Sequence, residues 1–388
     1  MKNPAGSDAA PTRPASISAR AGHLPRWAYR HTVRQFKNAR KKALRGVKLA
    51  RHALHRLKDA EKSLYFRLRD SDRGRAFLRA ADRARVSSDI RSRRHAAAPY
   101  LAKLSGGTVI DPDKGYGLLS LDAANDFSRA LLAGRQLFEA RQREIEEQRA
   151  GFESWSADKQ AKYLSRKQSF LRYLLDDEDL RRNAELVEFA LSDGVLGAAT
   201  RYLGMVPYLT RLDLMYSLPR GKDENIASQL FHLDHEGLTQ VKCFVHLFEV
   251  GDPEGPFTFI PADASARIIR DIRTLRRQRG QTRDVESRRY LDEEIAAVGG
   301  SESVVTVKGP TGTGVAVDTS RCLHLGSRVD PGRFRLCLYL QYCTTREVTN
   351  IFDVERFSGD PIRYLAVKHS VEPGRERAAE YTQRMIAG

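Results

Sequence analysis

The spacing of apolar positions changes twice along this chain, and the changes divide it into parts. Residues 1–25 are rich in Ala, Pro, Ser and Arg and show no period, which predicts a disordered tail. From residue 26 to about 94 a helical period takes over. Val33, Phe36, Ala43, Val47, Ala50, Leu54, Leu57, Ala60 and Leu64 follow one another mostly by threes and fours, the stripe of an amphipathic helix whose other face is Arg and Lys. Gly106-Gly107 and Asp111-Pro112-Asp113 then mark a loop between 99 and 117. A short strand at 117–121 precedes a helix striped by Phe127, Leu131, Phe138 and Ile145. Further helices are expected through Trp155, Tyr163, Phe170, Leu174, Leu186, Phe189 and Leu203, with Gly204 as a stop before Pro207.

Beyond residue 208 the pattern becomes one of short β runs, at 210–218, 228–235, 241–250, 256–260, 303–308, 314–318, 321–326 and 333–343. Eight short strands with turn residues between them predict an α+β protein built on a double-stranded β-helix, a jelly-roll or cupin-like barrel flanked by helices. One helical insertion, 265–297, interrupts the strands and carries nine Arg between Arg267 and Arg289 against three acids. It is expected to be either a lid or a surface helix pair. The predicted organisation is a tail at 1–25, a basic helical extension at 26–98, and a domain at 99–388 with its barrel core at about 208–345.

Charge sharpens this division. The 388 residues carry a net charge of +17, yet residues 1–100 hold 26 Lys+Arg against 7 Asp+Glu, leaving 40 against 42 for the rest. The basicity therefore belongs to the extension, and the domain is near neutral. A basic amphipathic helix can lie on an anionic membrane surface, or pack as a solvated arm, and these two readings stand level. Nucleic acid ranks behind both, because no aromatic interleaving or known nucleic-acid module accompanies the charge. No run of some 18 apolar residues exists to span a membrane, and no apolar stretch follows the first charges as in a secretory signal. The four cysteines, Cys243, Cys322, Cys337 and Cys343, lie in apolar runs without metal or redox spacing, so buried free thiols in a reducing, cytoplasmic compartment are expected.

The chemistry concentrates in Phe231-His232-Leu233-Asp234. On a strand, residues two apart project to one side, so His232 and Asp234 can reach one metal while Leu233 and His235 face away. His324 lies in the apolar run Cys322–Leu325, where an imidazole without a partner is costly. Two imidazoles and one carboxylate form the ligand set that holds Fe(II) on one face and leaves the others open. On the run 333–343, Arg333, Arg335, Cys337, Tyr339 and Gln341 share a face, and an arginine turned into a barrel calls for an anion. Periodicity alone does not choose between Arg333 and Arg335. His246 is expected to be a satisfied strand histidine rather than a ligand, and the glycine-rich 309–314 lacks the Gly-Lys-Ser/Thr of a phosphate loop.

The segments Ser228–Asp234, Lys242–Val250 and Glu254–Pro261, with His324 and Arg335 beyond them, are similar to the phytanoyl-CoA dioxygenase family over roughly residues 100–350. The resemblance implies a non-haem Fe(II) and 2-oxoglutarate dependent oxygenase acting on a small molecule with O2. It implies that His232, Asp234 and His324 bind iron and that Arg335, at the family's spacing from the distal histidine, holds the C5 carboxylate of 2-oxoglutarate. The related halogenases carry a small residue in place of the carboxylate ligand, so Asp234 points to hydroxylation. The run Ile260-Pro261-Ala262-Asp263-Ala264 departs from the Pro-Gly-Ser-His common in the family, which leaves the substrate-side wall unassigned. The rival expectation is a catalytically inactive cupin-like binding protein, recruited through residues 26–94 to a polyanion or to the inner membrane surface. A third keeps the barrel with another divalent metal but gives Arg335 no task.

Overall fold

The computed structural model describes residues 87–368 except 120, 122–125, 222–223, 235, 237–238, 282–287 and 345–348, together with 74, 77, 80 and 81. Contacts divide the chain after residue 70, and every described residue belongs to the second unit. The expected tail at 1–25 and nearly all of the basic stretch 26–94 lie outside the described residues.

Helix α1, Ser88–Leu101, runs across the boundary expected at 98/99. Its first turn is closed by Ser87, whose hydroxyl accepts from the Ile90 amide. It is tied to the domain by charge rather than by an apolar stripe. Arg93 is fully buried, donates from Nε to Asp89 and from Nη1 to the carbonyls of Val206 and Pro207, and lies 3.5 Å over the Tyr208 ring. Asp89 also accepts from the Tyr208 hydroxyl and pairs with Lys368 at 2.5 Å. Burial alone would raise its carboxyl, but Lys368, Tyr208 and Arg93 together hold it well below the ordinary range.

Two antiparallel sheets follow. The larger has six strands in the order β1-β7-β4-β9-β3-β2: β1 Tyr116–Leu118, β2 Leu171–Tyr173, β3 Tyr208–Ser217, β4 Gln240–His246, β7 Gly314–Val317 and β9 Arg335–Cys343. The smaller runs β6-β5-β8: β5 Phe257–Ile260, β6 Val305–Val307 and β8 Leu323–Leu325. With α3 (Ala157–Leu164) and α4 (Asp177–Arg182) between them in the chain, helices α2 (Asp126–Ala150), α5 (Ala184–Ala190) and α6 (Asp193–Leu203) pack on one face of the large sheet through Phe138, Leu186, Leu196, Val245 and Leu338. Its other face meets the small sheet through Met215, Phe244, Phe257, Phe259 and Val317. Strand pairing that would join the two sheets into a closed barrel is not found among the described residues, so they form a two-sheet sandwich.

Several elements differ from expectation for identifiable reasons. Of the strand expected at 228–235, the described residues 228–234 form none: a short turn at Ala227–Gln229 leads into isolated bridges at Phe231 and His232. Residues 171–173, expected within a helix, pair with Tyr216 and its neighbours as an edge strand of three residues, too short to show a period. In the insertion, helix α7 (Ala262–Gln278) buries Ile268, Ile269 and Ile272 with Ile260, Leu323 and Leu325 of the small sheet, and Ile295 of α8 (Asp292–Ala297) joins them. The two described helices of the insertion thus pack on the back of that sheet, while Tyr290 between them bridges Phe231, the neighbour of His232. No described helix is long and apolar enough to cross a membrane.

Replacing Asp89 by Ala leaves the Arg93 guanidinium buried without its carboxylate. By urea denaturation the variant should lose roughly 3–5 kcal/mol, the usual cost of orphaning one partner of a buried pair. A loss within 0.5 kcal/mol, the range of a neutral surface change, would show that α1 is not held through this cluster.

Candidate metal centre

His232 and His324 are paired through their backbones. Each amide donates to the other's carbonyl at 3.0 Å, a single antiparallel bridge between segments ninety-two residues apart. The two imidazoles consequently stand with ring centroids 4.3 Å apart. Two residues on, the Asp234 amide donates to the Thr319 carbonyl at 2.9 Å, which turns its carboxylate toward both rings. Asp234 lies 3.2 Å from His324 Nε2 and 3.6 Å from His232 Nε2, and one ligand atom from each residue falls within 4.8 Å of the others. The expected trio is therefore together, although only His232 of the first pair takes part in strand pairing.

The second nitrogen of each ring fixes its tautomer. His232 Nδ1 lies 2.8 Å from the Leu230 carbonyl and His324 Nδ1 lies 3.0 Å from that of Cys322. A carbonyl can only accept, so Nδ1 carries the proton and Nε2 presents its lone pair to the centre. Burial, then the neighbouring His324, pushes His232 well below its ordinary value, so the ring is neutral at physiological pH. Lys242 sits in the middle of buried β4 and donates to Asp234 Oδ2 at 2.7 Å. Burial alone would raise the Asp234 carboxyl, but Lys242, His324 and His232 together outweigh it and keep the carboxylate ionised. Two imidazole nitrogens and one carboxylate are a donor set that fits a divalent ion.

These side chains open on a cavity of about 200 Å³ between the sheets, which Arg335 also lines. Arg335 is 1% exposed and has no carboxylate partner among the described residues, whereas Arg333 stands outside with a side chain 61% exposed. Of the two arginines that periodicity left open, Arg335 is the one that lines the cavity. Its guanidinium donates to the Gly255 carbonyl and to the hydroxyls of Ser217 and Ser327, both at 3.3 Å, while Nε is unsatisfied. Gly255 has φ +63, and a Cβ there would meet the Arg328 backbone at 2.5 Å, so only glycine fits. Ser327 adopts φ +64 without being glycine, a strained backbone fixed by hydrogen bonds to Ser217 and Gln229.

Sequence reasoning missed Lys242, Ser217 and Ser327. Lys242 carried a usable signal, a charge inside the apolar run Val241–Val245; the serines became partners only through tertiary packing. His246 is buried and outside the trio, as expected, but it is not satisfied: neither ring nitrogen reaches a partner in good geometry, and the Gly309 backbone offers at most a poorly aligned one. His235 lies outside the described residues. All four cysteines are buried and free.

No protein-family model and no curated protein matches the chain. Among solved structures it is similar to AviO1 from Streptomyces viridochromogenes Tue57, with TM-score 0.36, 13% identity, and coverage of 67% of this chain and 96% of that one. It is also similar to the non-heme alpha ketoglutarate dependent epimerase SnoN from nogalamycin biosynthesis (TM-score 0.35, 15% identity, 64% and 82%). A third is EctD from S. alaskensis with 2-oxoglutarate and 5-hydroxyectoine (0.36, 15%, 60% and 72%). At these scores none of the three bears on what this chain does.

Burial, followed by the charge of Arg335, pushes His246 down from 6.5 to about 4. The unfolded chain takes up that proton near pH 6.5 and the folded one does not, so stability rises with pH between about 4 and 6.5 and levels off above. At pH 5 this one group should cost the native state about 2 kcal/mol relative to pH 7.5. Urea denaturation at both pH values checks it: His246→Leu should reduce the difference by that amount, and an unchanged difference would contradict the assignment.

Proposed function

We propose that this chain is an Fe(II)- and 2-oxoglutarate-dependent oxygenase, of the phytanoyl-CoA dioxygenase type, that hydroxylates a small molecule. One observation carries the proposal: a His-Asp-His donor set and a buried arginine lacking a carboxylate line the same cavity. His232 and His324 would hold iron through Nε2 and Asp234 through a carboxylate oxygen. Arg335 would take the distal carboxylate of 2-oxoglutarate, relieving a guanidinium that is costly to bury alone. Iron with bound 2-oxoglutarate supplies the activation of O2, coupled to decarboxylation of the oxoacid to succinate.

The protein's own part is positioning and exclusion. The two carbonyls at Nδ1 fix both imidazoles, and Lys242 helps to keep Asp234 ionised so that it need lose no proton on taking a cation. Ser217, Ser327 and Gly255 aim the guanidinium fork. Phe257, with its ring 5.6 Å from His324, and Phe244 stacked on it at 4.2 Å present a dry wall beside the centre. That wall disfavours hydrolytic side reactions and suits attack on carbon.

Purified protein given Fe(II), 2-oxoglutarate and O2 should release succinate, and deleting residues 1–70 should leave that release intact. His232→Ala and His324→Ala should each abolish high-affinity binding of Mn(II), an oxygen-stable substitute for Fe(II), measured by calorimetry. Arg335→Ala should retain the metal but weaken 2-oxoglutarate about 100-fold, corresponding to roughly 3 kcal/mol for a lost buried charge pair. Metal binding that survives both histidine changes would remove the basis of the proposal.

A further inference from the structure

The proposed chemistry leaves two cations beside Tyr173 in the same cavity without a task. β9 supplies the scale. Arg335 lies opposite Ser217 on β3, and Gln341 lies opposite Arg211. Six residues of strand separate these two levels, on the order of 20 Å. The backbones that carry Arg335 and Arg211 are therefore well separated along the cavity.

Lys167 and Arg211 both line the cavity, and both approach the ring of Tyr173, whose backbone pairs with Met215. Arg211 lies 3.7 Å over the Tyr173 ring, and Lys167 lies 5.5 Å from its centre. The only polar contact of the Lys167 ammonium among the described residues is with the Tyr173 hydroxyl, at 3.4 Å, and no carboxylate pairs with it. Arg211 spends Nε and Nη2 on Asp213, at 3.3 and 3.0 Å, and its Nη1 makes no hydrogen bond among the described residues. Burial raises the Tyr173 phenol, yet Lys167, Arg211 and Lys242 together more than reverse this and hold it below its ordinary value. The phenol thus reports a local excess of positive charge. Lys242 is already committed to Asp234, and Arg335 is assigned to the co-substrate. Lys167 and the open edge of Arg211 remain, and half-buried cations facing a cavity favour an anion there.

We propose that this part of the cavity is a subsite for an anionic group of the substrate, a carboxylate or phosphate, held by Lys167 Nζ and Arg211 Nη1 beside the Tyr173 hydroxyl. The inference rests on the oxygenase reading only in calling that ligand the substrate. Leu171, Met215 and Phe244 line the same cavity, so the group to be oxidised is carried on an apolar stem rather than on a sugar-like polyol.

The test uses the full chain with saturating Mn(II) and 2-oxoglutarate, which fills the Arg335 site, titrated calorimetrically with octanoate, octyl phosphate and octanol. At least one of the two anions should bind, and octanol should bind at least tenfold more weakly. Lys167→Ala should weaken the anion about tenfold, and Lys167→Arg should restore it, which a merely structural role would not do. Equal binding of octanol, anion binding that ignores Lys167→Ala, or no binding of any probe would overturn the subsite. The two readings fail separately. If neither metal nor 2-oxoglutarate binds while octanoate still binds in a Lys167-dependent way, the oxygenase reading falls and the anion subsite stands.

Discussion

Two backbone hydrogen bonds between His232 and His324 set the geometry on which the site depends. They join a loop that follows β3 to a three-residue strand of the small sheet. Because the pair is a closely spaced antiparallel bridge, both side chains leave the backbone in register. The carbonyls that accept from Nδ1, those of Leu230 and Cys322, lie two residues before each histidine, so each ring is fixed by its own segment. Asp234 then needs only its amide bond to Thr319 to reach the same point. A bridge that slipped by one residue would turn one imidazole away from the other.

β9 organises the rest. Every second residue from Arg335 to Cys343 faces the space between the sheets, and the intervening leucines and Tyr342 pack against the helices. One strand thereby carries a buried cation at its start, Tyr339 in the middle and Gln341 toward its end, with β3 pairing at all three levels and β4 at the latter two. Each is placed by the pleat of a strand hydrogen-bonded on both sides. The β9 residues that face the cavity thus hold their spacing without help from loops.

The trio His232, Asp234 and His324 was legible because residue type limits the options: few roles other than ligation put two imidazoles and a carboxylate in apolar surroundings. Arg335 was legible only as one of two arginines on a face, and the strand's actual start, at Arg335 itself, is what leaves Arg333 in solvent. The alternation that suggested a strand at 228–235 was real for the side chains but not for the hydrogen bonds, since only His232 and Phe231 are bridged. β2 escaped because three residues between helices carry no period, and with it went Tyr173 and the cations that flank it. Ser217, Ser327 and Gly255 could not be read as partners of Arg335, because they come from three separate segments that only tertiary packing brings together.

The central claim is that His232, Asp234 and His324 hold iron while Arg335 holds 2-oxoglutarate on it. The most direct measurement is an anaerobic titration of Fe(II) into the protein with 2-oxoglutarate present, followed by visible absorption, since an oxoacid chelated to Fe(II) has a metal-to-ligand charge-transfer band. The account predicts a band that grows to one equivalent of iron, is absent without 2-oxoglutarate, and is lost in His324→Ala. Iron uptake with no band, or a band unaffected by that substitution, would contradict it.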